Sequence, residues 1–183
     1  RDARKHLFFA HVMTCNRLQR ITWTYRHNAV LFALDNAIRR FGLFAITEPS
    51  FYDYVDGRHK RPDLTVFGDQ TYTTDFTISA DVEAALEAKV AKHGDAVTAM
   101  KHNFIPIAMD IYGALDKSVW LFLSKCYKRL PPKLRRLSAL QTMRSMSEAW
   151  LHGSVAMLRG LSPPLHSEDA FFDLPQQFGS RPN

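Results

Sequence analysis

Residues 61–78 read RPDLTVFGDQTYTTDFTI. Two short apolar runs, 62–67 and 71–78, flank Gly68-Asp69-Gln70. The second is rich in the β-branched and aromatic types that suit a pleated surface. Two such runs across a short turn predict an antiparallel hairpin. Asp63 opens the first strand and Asp75 lies in the second, so the hairpin can bring both carboxylates to one edge of a sheet.

Outward from the hairpin, Ser79 or Asp81 caps a helix over about 81–101, with Glu83 in its first turn. A buried strand is predicted over 104–111, ended by Gly113, and helices over 114–128 and 133–159, separated by Pro131-Pro132. On the other side, Val30, Leu34, Ala37, Ile38 and Phe41 recur at helical spacing within 21–41, and Gly42 stops the run. A first helix is predicted over residues 3–16. Between Gly42 and the Asp56-Gly57 turn, LFAITEPSFYDYV reads as a strand that Pro49 breaks or confines to an edge. The order is α, α, β, β, β, α, β, α, α: an α+β (α/β) protein with a small mixed β-sheet flanked by helices.

Composition allows this. The chain has 183 residues, 46% hydrophobic and 23% charged, which suits one core and excludes a disordered chain or a disulfide-stapled mini-protein. Cys15 and Cys126 form no metal or disulfide framework, so a reducing compartment is expected. No membrane span and no small-molecule cofactor motif is found, and the start does not read as a signal peptide. Lacking an initiator Met, the chain reads as a piece of a longer protein. The net charge is +6, and it is polarised: the N-terminal segment, Arg58–Arg61 and Lys125–Arg144 are basic, while Asp69–Glu87 is acidic. A basic rim around an acidic centre suits a protein that grips phosphates and holds a divalent metal.

Paired carboxylates of this kind bind Mg²⁺ or Mn²⁺, hard cations that want oxygen ligands, with the carbonyl of Phe76 as a candidate third ligand. Phosphodiester cleavage also needs a cation near the developing charge. Lys89 and Lys92 share a face of the following helix, and the sequence leaves the choice between them open. Asp63 and Asp75 read equally as a turn residue and an edge charge, although an unpaired charge inside an apolar strand is costly.

The succession RHN (26–28), EP (48–49), GRHKRPD (57–63), a second Asp, KVAKH (89–93) and HNFIPIAMDIYG (102–113) resembles the restriction-endonuclease-like domain of site-specific non-LTR (LINE-type) retrotransposon proteins, a branch of the PD-(D/E)xK nuclease fold. The likeness covers roughly residues 6–115, and ALQTMRSMSEAWLHGSVAMLRG (139–160) has the flavour of kinetoplastid elements that insert into spliced-leader genes. The resemblance implies a nuclear, metal-dependent endonuclease. It would nick double-stranded target DNA to prime reverse transcription, acting with the element RNA and a reverse transcriptase domain in the full-length protein.

Residue by residue, the resemblance makes Asp63 and Asp75 the metal-binding acids and Lys89 the displaced catalytic lysine, with Lys92 as the alternative. Most PD-(D/E)xK enzymes carry the lysine two residues after the second acid. Here that residue is Thr77, and the retroelement branch shares the shift to the helix. Glu48 is a candidate additional acid, or a strand-end charge beside Pro49. Arg61 matches the basic residue before the PD motif, and Arg26-His27 the upstream motif. His11 and Cys15 match the second half of a zinc knuckle; with its first half missing, zinc is not expected in this chain. The implied organisation is a knuckle remnant at 1–20, an endonuclease core at 21–130, a basic helical extension at 131–160 and a loop-rich tail at 161–183.

Candidate DNA contacts are Arg26, His27, Lys60 and Arg61, with Lys128, Arg129, Lys133, Arg135 and Arg136 as a backbone-tracking surface; each is also ordinary on a solvated face. Trp23, Tyr25, Trp120 and Trp150 are expected in the core. His93, one turn from Lys89, is expected at a cap or facing solvent, with assistance to catalysis as the alternative. The rival to the enzyme is an inactive nuclease-fold module that binds nucleic acid or protein.

Overall fold

Val30, Leu34 and Ile38 repeat at helical spacing, and all three are fully buried along one side of α1 (Asn16–Arg40). Helix α1 ends at Gly42, whose φ of 77° is the left-handed conformation glycine adopts without penalty. Gly42 N–H donates to the Arg39 carbonyl and Leu43 N–H to that of Ile38, which closes the helix end with a Schellman pair. The structure, a computed structural model, describes residues 16–52 and 61–158, with side chains over 24–52 and 61–156. Lys60, His11, Cys15, the Trp23 side chain, the predicted 3–16 helix up to residue 15 and the 161–183 tail lie outside the described residues.

Strand β1 (Phe44–Thr47) pairs antiparallel with β2 (Leu64–Phe67), and β2 pairs antiparallel with β3 (Tyr72–Thr74), as the hairpin reading expects. β1 is an edge strand and stops before Pro49, and Ser50–Tyr52 form a 3-10 turn. The expected 71–78 strand is interrupted once, at Asp75, and resumes as β4 (Phe76–Ser79). Helix α2 (Val82–Ala99) crosses over to β5 (Asn103–Phe104) and β6 (Ile107–Asp110), which run parallel to β3 and β4 respectively. Ile105 N–H bonds the Thr73 carbonyl and Ile107 N–H that of Asp75, so the ladder keeps its register across the break. Those two amides point into the sheet, so residue 106 faces the open edge. Pro106, with no N–H to offer, is tolerated there.

Alternation along the strands divides the sheet into two faces. Leu64, Val66, Tyr72, Phe76, Ile78, Ile107 and Met109 point toward α1, α3 (Lys117–Cys126) and α4 (Pro132–Leu158). Thr73 and Phe104 point toward the opposite face, where Tyr52, Ala96 and Val97 form a smaller cluster under α2. Of the three helix starts that follow the hairpin, those of α2 and α4 lie within a residue of where the sequence places them and that of α3 does not. Asp81 Oδ1 accepts from Ala84 N–H at the start of α2, as expected. Helix α3 starts later than expected because Asp116 is its N-cap, accepting from Ser118 N–H. A 3-10 turn, Tyr127–Arg129, then leads to Pro132, which opens α4 where a missing N–H costs nothing.

Helix α4, expected as an extension, packs along α1 and contributes Ala139, Met146 and Trp150 to the main core. Trp150 is buried as expected and Tyr25 half-buried, whereas Trp120 lies on the exposed side of α3. Among the described residues no helix is long and apolar enough to cross a membrane.

Gly113 has φ 92°, and a Cβ built on it would lie 2.6 Å from Trp150 Cε3. Backbone strain and overpacking therefore act together at this point. Gly113→Ala is expected to lower the unfolding free energy by about 3 kcal/mol. Urea denaturation would measure it, and a loss below half of that would contradict the packing.

Candidate active site

The β2–β3 register pairs Val66 with Tyr72, Thr65 with Thr73 and Leu64 with Thr74. One step further along the same frame, Asp63 stands opposite Asp75. Both share the parity of Thr65 and Thr73, so they occupy the α2 face. Asp63 is tied to both neighbouring strands. Its Oδ2 accepts from Phe76 N–H at 2.7 Å, and its carbonyl accepts from Glu48 N–H at 2.9 Å. The Asp75 side chain is 3% exposed.

Helix α2 lays three nitrogen groups over this pair. Lys89, Lys92 and His93 follow at i, i+3 and i+4 and so share one helix face. Lys89 Nζ lies 2.8 Å from Asp75 Oδ2, Lys92 Nζ 4.0 Å and His93 Nε2 2.8 Å from the same oxygen. The short contacts are close in distance but not aligned as hydrogen bonds, so they act as electrostatic contacts. Lys89 is thus the nearer lysine, more buried than Lys92. From α1, His27 Nε2 reaches Asp63 Oδ2 at 3.2 Å and the Phe76 carbonyl at 3.0 Å. Both are acceptors, so Nε2 carries the proton.

Two carboxylates facing each other off water cannot both ionise cheaply. Burial pushes Asp63 above the ordinary carboxylate range, and the charge of Asp75 adds to this, against the opposing pull of His27. Burial pushes Asp75 upward too. His93, a hydrogen bond with Asp63 and the Lys89 ammonium outweigh it and hold Asp75 well below that range. Burial disfavours the charged form of His27, yet its bond and charge contact with Asp63 raise it above the ordinary imidazole value.

The other expected residues fall differently. The Glu48 backbone is pinned to Asp63, with φ 44°, but its side chain is exposed. The Phe76 carbonyl faces His27 rather than open space. Arg26, expected at a phosphate, is 1% exposed and lies against α4, where a Cβ on Gly153 would sit 3.0 Å from its Cγ. Arg61 is exposed beside the Pro62-Asp63 strand start. Lys128, Lys133 and Arg136 are exposed at the α3–α4 elbow. Arg129 there pairs with Asp69, and Arg135 donates to the Lys128 and Leu130 carbonyls, closing the end of the 3-10 turn. His93, expected at a cap or in solvent, is instead buried at the centre of the site. Its spacing of four from Lys89 is the signal that keeps the alternative, a part in catalysis, open.

Among the described residues no group of three or more His, Cys, Asp or Glu side chains is arranged to hold a metal ion by itself. The Asp63–Asp75 pair nevertheless fits Mg²⁺ or Mn²⁺. It offers hard oxygens in close proximity, and the charge of Asp75 adds to the upward push on Asp63, a repulsion that a divalent cation relieves. Mg²⁺ is commonly held by one or two carboxylates, with substrate phosphate and water completing its shell. No protein-family model matches the chain, and no curated protein matches it.

The two acids should differ in their effect on stability. Asp63, raised, is easier to protonate folded than unfolded, so its ionisation costs stability once pH exceeds the ordinary 3.8. Asp75, lowered, contributes stability that is present above 3.8 and is lost as pH falls toward its folded value. At pH 7, Asp63→Asn should therefore raise the unfolding free energy. Asp75→Asn should lower it by about 2 kcal/mol, because the partly buried cations around it then have no counter-charge. Urea titrations of both variants at pH 7 measure this; equal signs would contradict the arrangement.

Proposed function

We propose that this chain is a metal-dependent DNA endonuclease domain that nicks target DNA to prime reverse transcription of a non-LTR retrotransposon. The observation that carries the reading is the cross-strand pair Asp63–Asp75 lying under Lys89 on one sheet face. The order of elements supports it as well: a helix, three antiparallel strands, a crossover helix and a parallel strand. The reading keeps the nuclear setting, the element RNA and the reverse transcriptase domain as partners in the full-length protein.

Asp63 and Asp75 would hold Mg²⁺ or Mn²⁺. When bound, such an ion polarises the phosphodiester and lowers the pKa of water. Lys89 holds an ammonium, 22% exposed, where charge develops on the scissile phosphate. Lys92, farther from Asp75 and more exposed, faces the incoming strand. His27 orients the Asp63 carboxylate through Oδ2 and holds a proton at Nε2. Arg61, exposed on the rim, contacts the strand next to the cut. Lys128, Lys133 and Arg136 follow the backbone at a distance from it.

Nicking of supercoiled plasmid with Mg²⁺ or Mn²⁺ tests the reading. Asp63→Ala and Asp75→Ala are each expected to abolish nicking, and Lys89→Ala to slow it by about 10²- to 10⁴-fold. Either aspartate variant nicking at the parental rate would sink the assignment. Replacing Lys128, Lys133 and Arg136 by Gln should flatten the slope of log K for duplex binding against log salt. The slope should fall by about 0.9 for each phosphate that is no longer neutralised. An unchanged slope would take this elbow out of the DNA interface.

A further inference from the structure

His93 is the one group at the site for which the endonuclease reading, on which this inference rests, supplies no part. It is 1% exposed, in the middle of α2, with its ring 5.9 Å from that of Phe104. A histidine so placed gives up hydration at both ring nitrogens, and an apolar residue would fill the space at less cost. Its Nε2 lies 2.8 Å from Asp75 Oδ2 without alignment. At that separation the two groups stand within hydrogen-bond reach of each other. All three nitrogen contacts to Asp75, from Lys89, Lys92 and His93, meet the same oxygen. Lys89 and Lys92 are on long flexible stems and partly exposed. His93 is the rigid member of the three, fixed by burial and by Phe104.

We propose that His93 is a positioning residue that anchors the Asp75 carboxylate through Oδ2, so that the carboxylate is set for a divalent ion shared with Asp63. It acts on the metal through Asp75 and allows Lys89 to leave Asp75 for the phosphate. The pairing parallels His27 with Asp63: each acid is backed by one imidazole, from α1 in one case and α2 in the other. Groups that orient a metal-binding carboxylate in this way typically set metal affinity by about 10- to 100-fold.

The test is Mn²⁺ binding to the whole chain, followed by electron paramagnetic resonance of the free ion, with no DNA and no turnover. Wild-type protein should bind Mn²⁺ and Asp75→Asn should not. His93→Phe keeps the ring against Phe104 and removes the N–H. It should weaken Mn²⁺ binding by about 10- to 100-fold. His93→Gln, whose amide N–H can take the place of Nε2, should restore most of the affinity, and it serves where the Phe variant does not fold. The metal concentration for half-maximal nicking should shift by the same factor, whereas a purely structural role would lower the maximal rate and leave that concentration unmoved. Wild-type affinity in folded His93→Phe overturns the role of His93 while the endonuclease reading stands, and so does a His93→Gln affinity no better than that of Asp75→Asn. Wild-type protein that binds no Mn²⁺, or binds it equally after Asp75→Asn, overturns both.

Discussion

Two like charges meet at the end of a hairpin because the ladder that pairs Leu64 with Thr74 puts Asp63 opposite Asp75 one step later. In water such a pair would cost little. Under α2, on a mostly buried sheet face, each carboxylate needs compensation within a few ångströms. Much of the surrounding structure supplies it. Helix α1 carries His27 to Asp63, and α2 carries Lys89 and His93 to Asp75. The Phe76 amide ties the Asp63 carboxylate to the neighbouring strand. The protein therefore holds, at one point, a local conflict that an added cation would relieve. A carboxylate pair perturbed by burial and by specific charge partners marks a candidate functional site.

The rest of the fold packs beneath that point. The α1 face of the sheet is filled by an apolar cluster drawn from α1, α3 and α4, whose members are almost completely buried. Its strand positions alternate with the polar ones that face α2, so the same period that builds the core delivers Asp63 and Asp75 to the other side. Asp75 sits where the strand is interrupted, beside Pro106 of the parallel neighbour, and the ladder keeps its register there. The crossover helix must return over the sheet to join a parallel neighbour. That return brings its Lys89–His93 face down on the carboxylates.

Local chemistry made much of this legible. The 61–78 hairpin, the Asp81 cap, the edge character of 43–52 and the end of α1 at Gly42 each depend on a few neighbouring residues, and each agrees with the structure. Where the outcome depended on distant residues, the reading diverged. Arg26 looked like a surface cation, and the α1–α4 packing buries it. Trp120 looked like core, and α3 turns it outward. Arg129 and Arg135 read as DNA-backbone contacts or solvated cations; Arg135 is engaged by backbone carbonyls, and Arg129, though exposed, pairs with Asp69.

Sequence by itself determined the α+β pattern, the hairpin, and the identity of Asp63 and Asp75 as the acids to watch, because strand period and turn chemistry act over a handful of residues. Only the tertiary structure decided that Lys89 stands nearer than Lys92, that His93 is buried against Asp75, and that His27 belongs to Asp63. The spacing along α2 allowed all three of its groups to face the sheet. Which of them touches a carboxylate depends on how the helix rolls and where it docks. The distant packing of Ala96 and Val97 against Tyr52 and Phe104 sets that docking, and no local rule could have supplied it.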